Sequence, residues 1–127
     1  MPNLAPWLKN TKRHRTKNNL TILTHSLPNS EVAALHFCVK AGYFCETDDE
    51  VGLAHLLEHM YFKGSKKFPV PESMGIQMKS LGGSINASTS YDETNYFCEV
   101  PAENLYPALE LMGDAFIAPL SQGIIIS

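Results

Sequence analysis

Residues 51–64 read Val51-Gly-Leu-Ala-His-Leu-Leu-Glu-His-Met-Tyr-Phe-Lys-Gly64. Four acidic residues lie between positions 46 and 50, just before this stretch, and their carboxylates suit the positive end of a helix dipole. Lys63 suits the last turn of a helix, and Gly64 suits the position just after it. We therefore predict a helix over about residues 51–62.

This predicted helix carries His55, Glu58 and His59. Residues four apart on a helix are separated by ~40° around the axis and ~6 Å along it, so His55 and His59 project from one face and can hold one cation. Glu58 lies ~60° from His55 on the other side of the same stripe, close enough to reach a water on that cation without being a ligand. Zinc held by imidazoles lowers the pKa of its water to about 7, and a neighbouring carboxylate can take the proton as the water attacks a peptide carbonyl. The pattern indicates metal-dependent peptide hydrolysis, and the alternative is a chance grouping on a helix surface.

The flanking segments predict a mixed α+β architecture. Upstream, the apolar runs 20–24 and 32–39, separated by a turn signal at residues 27–30, predict an antiparallel hairpin. Downstream, the patterns predict a helix over 71–81, a strand over 84–90, a partner strand over 94–100 and a helix over 103–117. In the strand 84–90 the odd positions are the less polar ones, which indicates one face turned to water. We expect helices to cover one face of a mainly antiparallel sheet.

Composition and charge exclude several classes of protein. The chain has 127 residues, 44% hydrophobic and 18% charged, which is typical of one globular domain. Its net charge of −3 and the lack of a basic stripe beyond the amino terminus argue against a nucleic-acid partner. The wholly apolar runs, such as 32–35 and 124–126, are far shorter than the ~20 residues that span a bilayer. We expect a soluble protein with no transmembrane segment.

The cysteines and the amino terminus indicate the cellular compartment in which the protein is expected. Cys38, Cys45 and Cys98 are odd in number and form no Cys-x-x-Cys pair, which argues against a disulfide framework and a cysteine zinc cluster. A reducing compartment such as the cytoplasm fits, and the two thiols in strand-like apolar runs are expected to be packed rather than nucleophilic. Residues 1–18 hold five of the ten Lys and Arg residues. We interpret them as a basic flexible leader; an organelle-targeting presequence, with a mitochondrial location, is the alternative.

Two blocks of the sequence resemble a known family. Residues 51–64 are very similar to the signature of the pitrilysin, insulin-degrading enzyme and mitochondrial processing peptidase family of zinc metallopeptidases, whose His-x-x-Glu-His order is called inverzincin. Residues 81–90, with Asp92, Thr94 and Tyr96, resemble the second block of that family, and the similarity continues to Asp114 and Pro119. The resemblance covers about residues 18–120. It implies an incomplete lobe of a two-lobed clamshell fold over residues 19–120, followed by a divergent tail over 121–127.

The resemblance also implies roles for individual residues. His55 and His59 would be ligands of Zn²⁺, and Glu58 would be the general base. The strand 83–90 would lie beside the metal helix and pair with the substrate backbone, with Asn86 and Ala87 nearest the scissile bond. A strand edge of small residues can also accept a peptide as an extra strand on physical grounds alone, although an ordinary internal strand is the alternative.

The chain departs from the family after Leu120. In relatives the third zinc ligand is a glutamate on the next helix, whereas this sequence continues Ser121-Gln-Gly-Ile-Ile-Ile-Ser127, so the resemblance predicts a truncated lobe without that ligand. The acids of the last predicted helix, Glu103, Glu110 and Asp114, are expected on its solvated face.

Two principal functions stay open at this point. One is a zinc-dependent metalloendopeptidase that acts on a peptide or protein substrate together with a second peptidase-like lobe or subunit. The other is a non-catalytic peptidase-like subunit or fragment that acts in binding or assembly. A metal-free α+β interaction domain is a third interpretation, if the resemblance is accidental.

Overall fold

The computed structural model describes residues 6–70 and 73–120, which form two compact units, one up to Ser30 and one from Glu31. In the first unit a 3₁₀ turn, Pro6–Asn10, leads into β1 (Thr11–Arg15), which pairs antiparallel with β2 (Thr21–His25). The turn between the strands is closed by the Thr16 N–H, which donates to the Leu20 carbonyl at 2.9 Å. Residues 11–15, which we placed in the leader, are therefore a strand, while the division into residues 1–18, 19–120 and 121–127 stays a prediction.

The predicted hairpin of residues 20–24 and 32–39 is wrong. The turn between the two runs is present, because the Ser30 N–H donates to the Leu27 carbonyl at 3.0 Å. The strands that flank it nevertheless belong to different sheets. β2 pairs with β1, whereas β3 (Val32–Val39) pairs antiparallel with β5 (Thr94–Pro101).

The second unit contains an antiparallel sheet of three strands in the order β3-β5-β4, where β4 is Ser84–Thr89. The central strand β5 buries every second side chain, from Thr94 to Val100. β4 shows the predicted alternation, because its odd-numbered residues are half-buried and its even-numbered residues are exposed. Among the described residues both β3 and β4 are edge strands.

Helices α1 (Leu53–Tyr61), α2 (Ser73–Ser80) and α3 (Leu105–Ile117) pack on this sheet. Between the layers lies one core, to which β5 contributes Tyr96, Cys98 and Val100 and the helices contribute Tyr61, Met74, Met78, Ala108, Leu111, Met112 and Ala115. Burial of each large apolar side chain contributes roughly 1.5–3 kcal/mol. The Tyr61 hydroxyl donates to the Met112 carbonyl at 2.9 Å and so ties α1 to α3. Burial raises the pKa of Tyr61 well above its usual range. The predicted mixed α+β class is confirmed.

The helix boundaries differ from the predictions for local reasons. α1 begins at Leu53 rather than near residue 51, because Gly52 has a φ of 88°, outside the right-handed helical region. α3 begins at Leu105, after a 3₁₀ turn at Ala102–Asn104. The start predicted for the second helix at residue 71 and the tail at 121–127 lie outside the described residues.

The three cysteines are free. Cys98 is buried in the core, as expected. Cys38 is exposed, so the expectation of a packed thiol is wrong there; its thiol donates to Glu93 at 3.1 Å, and this hydrogen bond, followed by partial burial, raises the pKa of Cys38. No helix in the part of the chain that the structure describes has both the length and the apolar character needed to span a bilayer.

Candidate metal centre

The amino terminus of α1 is capped by a side chain from the preceding loop. The two carboxylate oxygens of Glu46 accept hydrogen bonds from the backbone N–H groups of Gly52, at 2.7 Å, and Ala54, at 2.8 Å. The first N–H groups of a helix have no partner within the helix, so a carboxylate at this position both satisfies them and complements the helix dipole. Glu46 therefore fixes the start of the helix, which lies two residues before His55.

The cap is more specific than the sequence indicated. We expected all four acidic residues at 46–50 to act on the helix through its dipole, yet Glu46 alone among them binds the first turn of α1. Asp48–Glu50 form a separate 3₁₀ turn with its own capping box between Thr47 and Glu50. Glu46 lies six residues before Gly52, and because no standard capping pattern has that spacing, this cap was not predictable from the sequence.

His55 and His59 lie side by side on α1, as predicted. Their ring centroids are 4.5 Å apart, the ring planes are inclined by 46°, and both side chains are exposed. Imidazole nitrogens bind zinc at about 2.0–2.1 Å, and two rings this close can approach one ion from the same side. The pair therefore fits two ligands of a zinc site.

The described residues do not complete such a site. Among residues 6–70 and 73–120 no group of three or more His, Cys, Asp or Glu side chains is placed to hold a metal ion. A catalytic zinc site uses three protein ligands and keeps one position open for water or substrate. Any further ligand to the His55–His59 pair would therefore come from outside the described residues.

Glu58 has surroundings different from those of the two histidines. Its side chain is 8% exposed, and its Oε2 accepts a short hydrogen bond from the Thr89 hydroxyl on β4. Tyr96, on the neighbouring strand β5, is close enough to be influenced by this carboxylate: burial first, and then the charge of Glu58, raise the pKa of Tyr96. Glu58 is thus held at the contact between α1 and the sheet. The helical pattern predicted Glu58, whereas no pattern in the sequence singled out Thr89.

β4 lies beside α1, as the resemblance implied, and carries Asn86 and Ala87. Asn86 is exposed, and its side-chain oxygen accepts a hydrogen bond from the Ala87 N–H at 2.9 Å. The structure thus brings β4 to Glu58 through Thr89. The assignment of Asn86 and Ala87 to substrate binding stays a prediction.

The acids of α3 are engaged away from the two histidines. Glu110 forms an exposed ion pair with Lys67. Asp114 accepts hydrogen bonds from the Ser65 hydroxyl and, at 3.1 Å, from the Lys67 N–H. The Ser65 hydrogen bond is the main reason that the pKa of Asp114 is lowered. Asp114 therefore binds the loop after α1, where we expected a solvated helix face.

Comparison of the sequence with known families agrees with this geometry. The family model described as Insulinase (Peptidase family M16) matches residues 21–122, which include all of α1 and β4. The chain belongs to this family. M16 membership confirms the resemblance that residues 51–64 and 81–90 indicated.

Individual M16 proteins show how much of the family architecture the chain contains. It is 38% identical over 104 residues to insulin-degrading enzyme-like 2 of Arabidopsis thaliana, which covers 82% of this chain and 11% of that protein. It is 38% identical over 100 residues to an uncharacterized zinc protease of Rickettsia bellii, covering 79% of this chain and 24% of that protein. The crystal structure of pitrilysin superposes with a TM-score of 0.79 at 34% identity, covering 87% of this chain and 12% of pitrilysin. The chain therefore spans about a tenth to a quarter of the length of these M16 proteins.

Proposed function

We propose that this chain carries the His55, Glu58 and His59 part of a zinc metalloendopeptidase active site, which hydrolyses peptide bonds. The observation that carries the proposal is the arrangement on α1. Two imidazoles share one exposed face, while the adjacent carboxylate is buried and held by Thr89. Membership of a peptidase family, and the similarity to a Rickettsia protein named as a zinc protease, support it.

Each residue has a distinct part in this proposal. His55 and His59 would bind the zinc ion, which supplies a Lewis acid that polarises the peptide carbonyl and acidifies water. Glu58 would act as general base and take the proton of the attacking water. Thr89 donates to Oε2 of Glu58, which leaves Oε1 to accept that proton and keeps the carboxylate in one orientation. Thr89 is therefore a positioning residue rather than a catalytic one.

The edge of β4 would bind the peptide backbone. Among the described residues β4 is hydrogen-bonded on one side only, to β5. The Ala87 N–H donates to the Asn86 side chain, and a peptide carbonyl could replace that acceptor when a substrate strand pairs with β4. This supports our assignment of Asn86 and Ala87 to the region nearest the scissile bond.

A second peptidase-like lobe or subunit is the partner that we propose. Two imidazoles need a further protein ligand for a complete catalytic zinc site, and the M16 proteins that this chain matches are about four to nine times longer than the matched part. We propose that this further length corresponds to a lobe that encloses a peptide against α1 and β4. We propose that this chain works in the same enclosed arrangement.

The competing function is a non-catalytic peptidase-like subunit that acts in binding or assembly. The observation in its favour is that residues 6–70 and 73–120 hold no group of three metal-binding side chains. The buried and hydrogen-bonded state of Glu58 favours the enzyme, because a carboxylate is costly to bury and a purely structural helix could place an apolar residue there.

The test measures zinc and peptide cleavage in the same set of variants. Zinc content after dialysis would be determined for the wild type, His55→Ala, His59→Ala and His14→Ala, the last being an exposed histidine on β1 that serves as the matched control. We expect zinc in the wild type and in His14→Ala, and its loss from the other two. Chelator-sensitive cleavage of an unstructured peptide, assayed with the second peptidase-like lobe or subunit supplied, is expected with the wild type and should disappear with Glu58→Gln.

The outcomes separate the two functions. Zinc binding that needs His55 and His59, together with cleavage that needs Glu58, supports the enzyme. Zinc binding without cleavage, in the wild type and Glu58→Gln alike, supports the non-catalytic subunit. Equal zinc contents in the wild type and His55→Ala would show that His55 does not bind zinc and would overturn the proposed metal centre.

A further inference from the structure

Three aromatic side chains, Tyr43, Phe44 and Tyr91, form an exposed group that we call the aromatic cluster. Phe44 is 77% exposed and Tyr91 is 65% exposed. The rings of Phe44 and Tyr91 are stacked, with centroids 5.1 Å apart and planes inclined by 27°, and Tyr43 meets Tyr91 edge to face at 6.1 Å. Single exposed aromatic residues are common on protein surfaces, whereas a contiguous group of them marks a surface that binds something.

The backbone holds the aromatic cluster in place. The Tyr43 N–H donates to the Ser90 carbonyl at 3.1 Å, and the Phe44 N–H donates to the Tyr91 carbonyl at 2.7 Å. Gly42 is buried at this contact, where a Cβ would lie only 2.4 Å from the Ser90 oxygen. The loop that starts at Gly42 therefore fits closely against the turn between β4 and β5. Its aromatic rings face water because the backbone directs them there.

The same two segments reach the proposed active site. Glu46, two residues after Phe44, caps α1 immediately before His55. Thr89, two residues before Tyr91, donates to Glu58. Two residues of extended chain span at most ~7 Å, so each half of the aromatic cluster lies within that chain distance of a residue that contacts the metal helix.

We propose that the aromatic cluster is a substrate subsite that binds one large apolar side chain of the peptide, aromatic or long aliphatic. The inference rests on the proposed function and names a preference within it. Tyr91 lies in the turn four residues beyond Ala87, so the chain between the two residues spans at most about 13 Å. A peptide paired with β4 around Ala87 would thus present to the cluster a side chain three to five residues from the scissile bond.

Continuity with the β4 edge identifies the peptide as the occupant. β4 ends at Thr89, and Tyr91 lies in the turn that follows it, so a peptide paired with β4 and extended past Thr89 would reach the end of the sheet that carries the aromatic cluster. Tyr106 on α3 provides a contrast within the same chain: it is 79% exposed, and no aromatic ring contact is found for it among the described residues. Tyr106, an exposed aromatic residue outside the aromatic cluster, therefore serves as the matched control for Phe44 and Tyr91.

The experiment measures binding of fluorescent peptides to the full chain. The peptides are unstructured 12-residue sequences of Ser, Ala and Thr that carry a single Phe at successive positions. Affinity would be measured by fluorescence anisotropy for the wild type, Phe44→Ser, Phe44→Leu, Tyr91→Ser and Tyr106→Ser. Peptides that are cleaved would have their cleavage site mapped by mass spectrometry.

We expect the wild type to prefer one position of the Phe residue, about tenfold over the peptide that has none. Phe44→Ser and Tyr91→Ser should lose that preference and bind the two peptides alike, whereas Phe44→Leu should keep most of it and Tyr106→Ser all of it. In cleaved peptides the bond broken should lie three to five residues from the preferred Phe. Thermal melting of each variant, expected to match the wild type, establishes that it folds.

Results that contradict the subsite can be distinguished from results that contradict the proposed peptidase function. The subsite would be overturned if the wild type bound peptides with and without Phe with equal affinity, or if Tyr106→Ser lost as much of the Phe preference as Phe44→Ser and Tyr91→Ser. The peptidase proposal would be unaffected by either result. A change from self-associated to monomeric protein in Phe44→Ser, with unchanged peptide affinity, would show that the aromatic cluster is a subunit contact instead. No binding of any peptide by the wild type would overturn both proposals.

Discussion

Glu58 differs from the histidines on either side of it because its partner lies on another element. Helical spacing predicted that His55 and His59 share a face and that Glu58 lies at the side of it, and the structure has this arrangement. The hydrogen bond from Thr89 was not predictable, because the two residues are 31 positions apart and meet only when α1 packs on β4. The sequence therefore predicted how the three residues are arranged on α1, while tertiary packing determines how the Glu58 carboxylate is held.

Replacement of Thr89 by Val is expected to destabilise the fold, because Val has nearly the same shape but cannot donate to the buried Glu58 carboxylate. A hydrogen bond to a charged group contributes about 1.5–3 kcal/mol, and the loss should appear as a lower midpoint of urea unfolding at unchanged slope. Thr89→Ser keeps the hydroxyl and should retain most of the stability. If both variants lost the same stability, the methyl group rather than the hydrogen bond would be the important part of Thr89.

Elements with a strong local pattern were predicted well, and the pairing of strands was not. α1, β4, β5 and α3 were all anticipated within a few residues, since their apolar periodicity and end signals are local. The hairpin of β2 with β3 was wrong because a turn signal shows only that the chain bends, and not which strands pair. The partner of β3 is β5, about 60 residues further along the chain, and that choice depends on the common core that both strands build.

The cap on α1 gives a prediction at the scale of this element. Glu46→Ala removes the acceptor of two helix N–H groups and should cost about 1–2 kcal/mol of unfolding free energy. Asp49→Ala is the matched control, since Asp49 is also acidic and close to the helix in sequence but does not bind it. Chemical denaturation of both variants measures the difference. Equal losses would mean that the acidic residues act through their general field, as the sequence had suggested, and not through the Glu46 cap.

At the scale of the second unit, the loop after α1 and the end of α3 are joined by several polar contacts. The Ser65 hydroxyl and the Lys67 N–H both donate to Asp114, and the Lys66 N–H donates to the Ala118 carbonyl at 2.8 Å. Gly64, at a φ of 113°, has its carbonyl bonded to the Leu120 N–H at 3.1 Å. These contacts close the helical layer around α1, so α1 is fixed by Glu46 at its start and by this junction beyond its end.

This junction should weaken in acid. The Ser65 hydrogen bond, with a smaller effect from Lys67, lowers the pKa of Asp114 below its ordinary value of 3.8. The unfolded chain then takes up the proton more readily than the folded one, so the stabilisation is present above about pH 4 and is lost as the pH falls through the lower, folded-state pKa.

Unfolding midpoints measured from neutral pH down to about pH 2.5 should show this loss. The wild type is expected to lose more stability than Asp114→Asn over that range, while Glu110→Gln, which removes only an exposed ion pair, should follow the wild type. Parallel curves for all three proteins would contradict the role given to Asp114.

Within residues 6–70 and 73–120, β4 pairs with another strand on one side only, and this determines what kind of polypeptide its other edge could recognise. Backbone hydrogen bonds form whatever the side chains are, so a strand edge with free N–H and C=O groups selects its ligand by conformation. The bound segment must be extended, and its own backbone N–H and C=O groups must be free to form hydrogen bonds. In folded proteins most backbone N–H and C=O groups already have hydrogen-bond partners within helices and sheets. In unfolded chains, loose termini and short peptides these backbone groups are free to pair with a strand edge. Such an edge would therefore discriminate by conformation first and by sequence second.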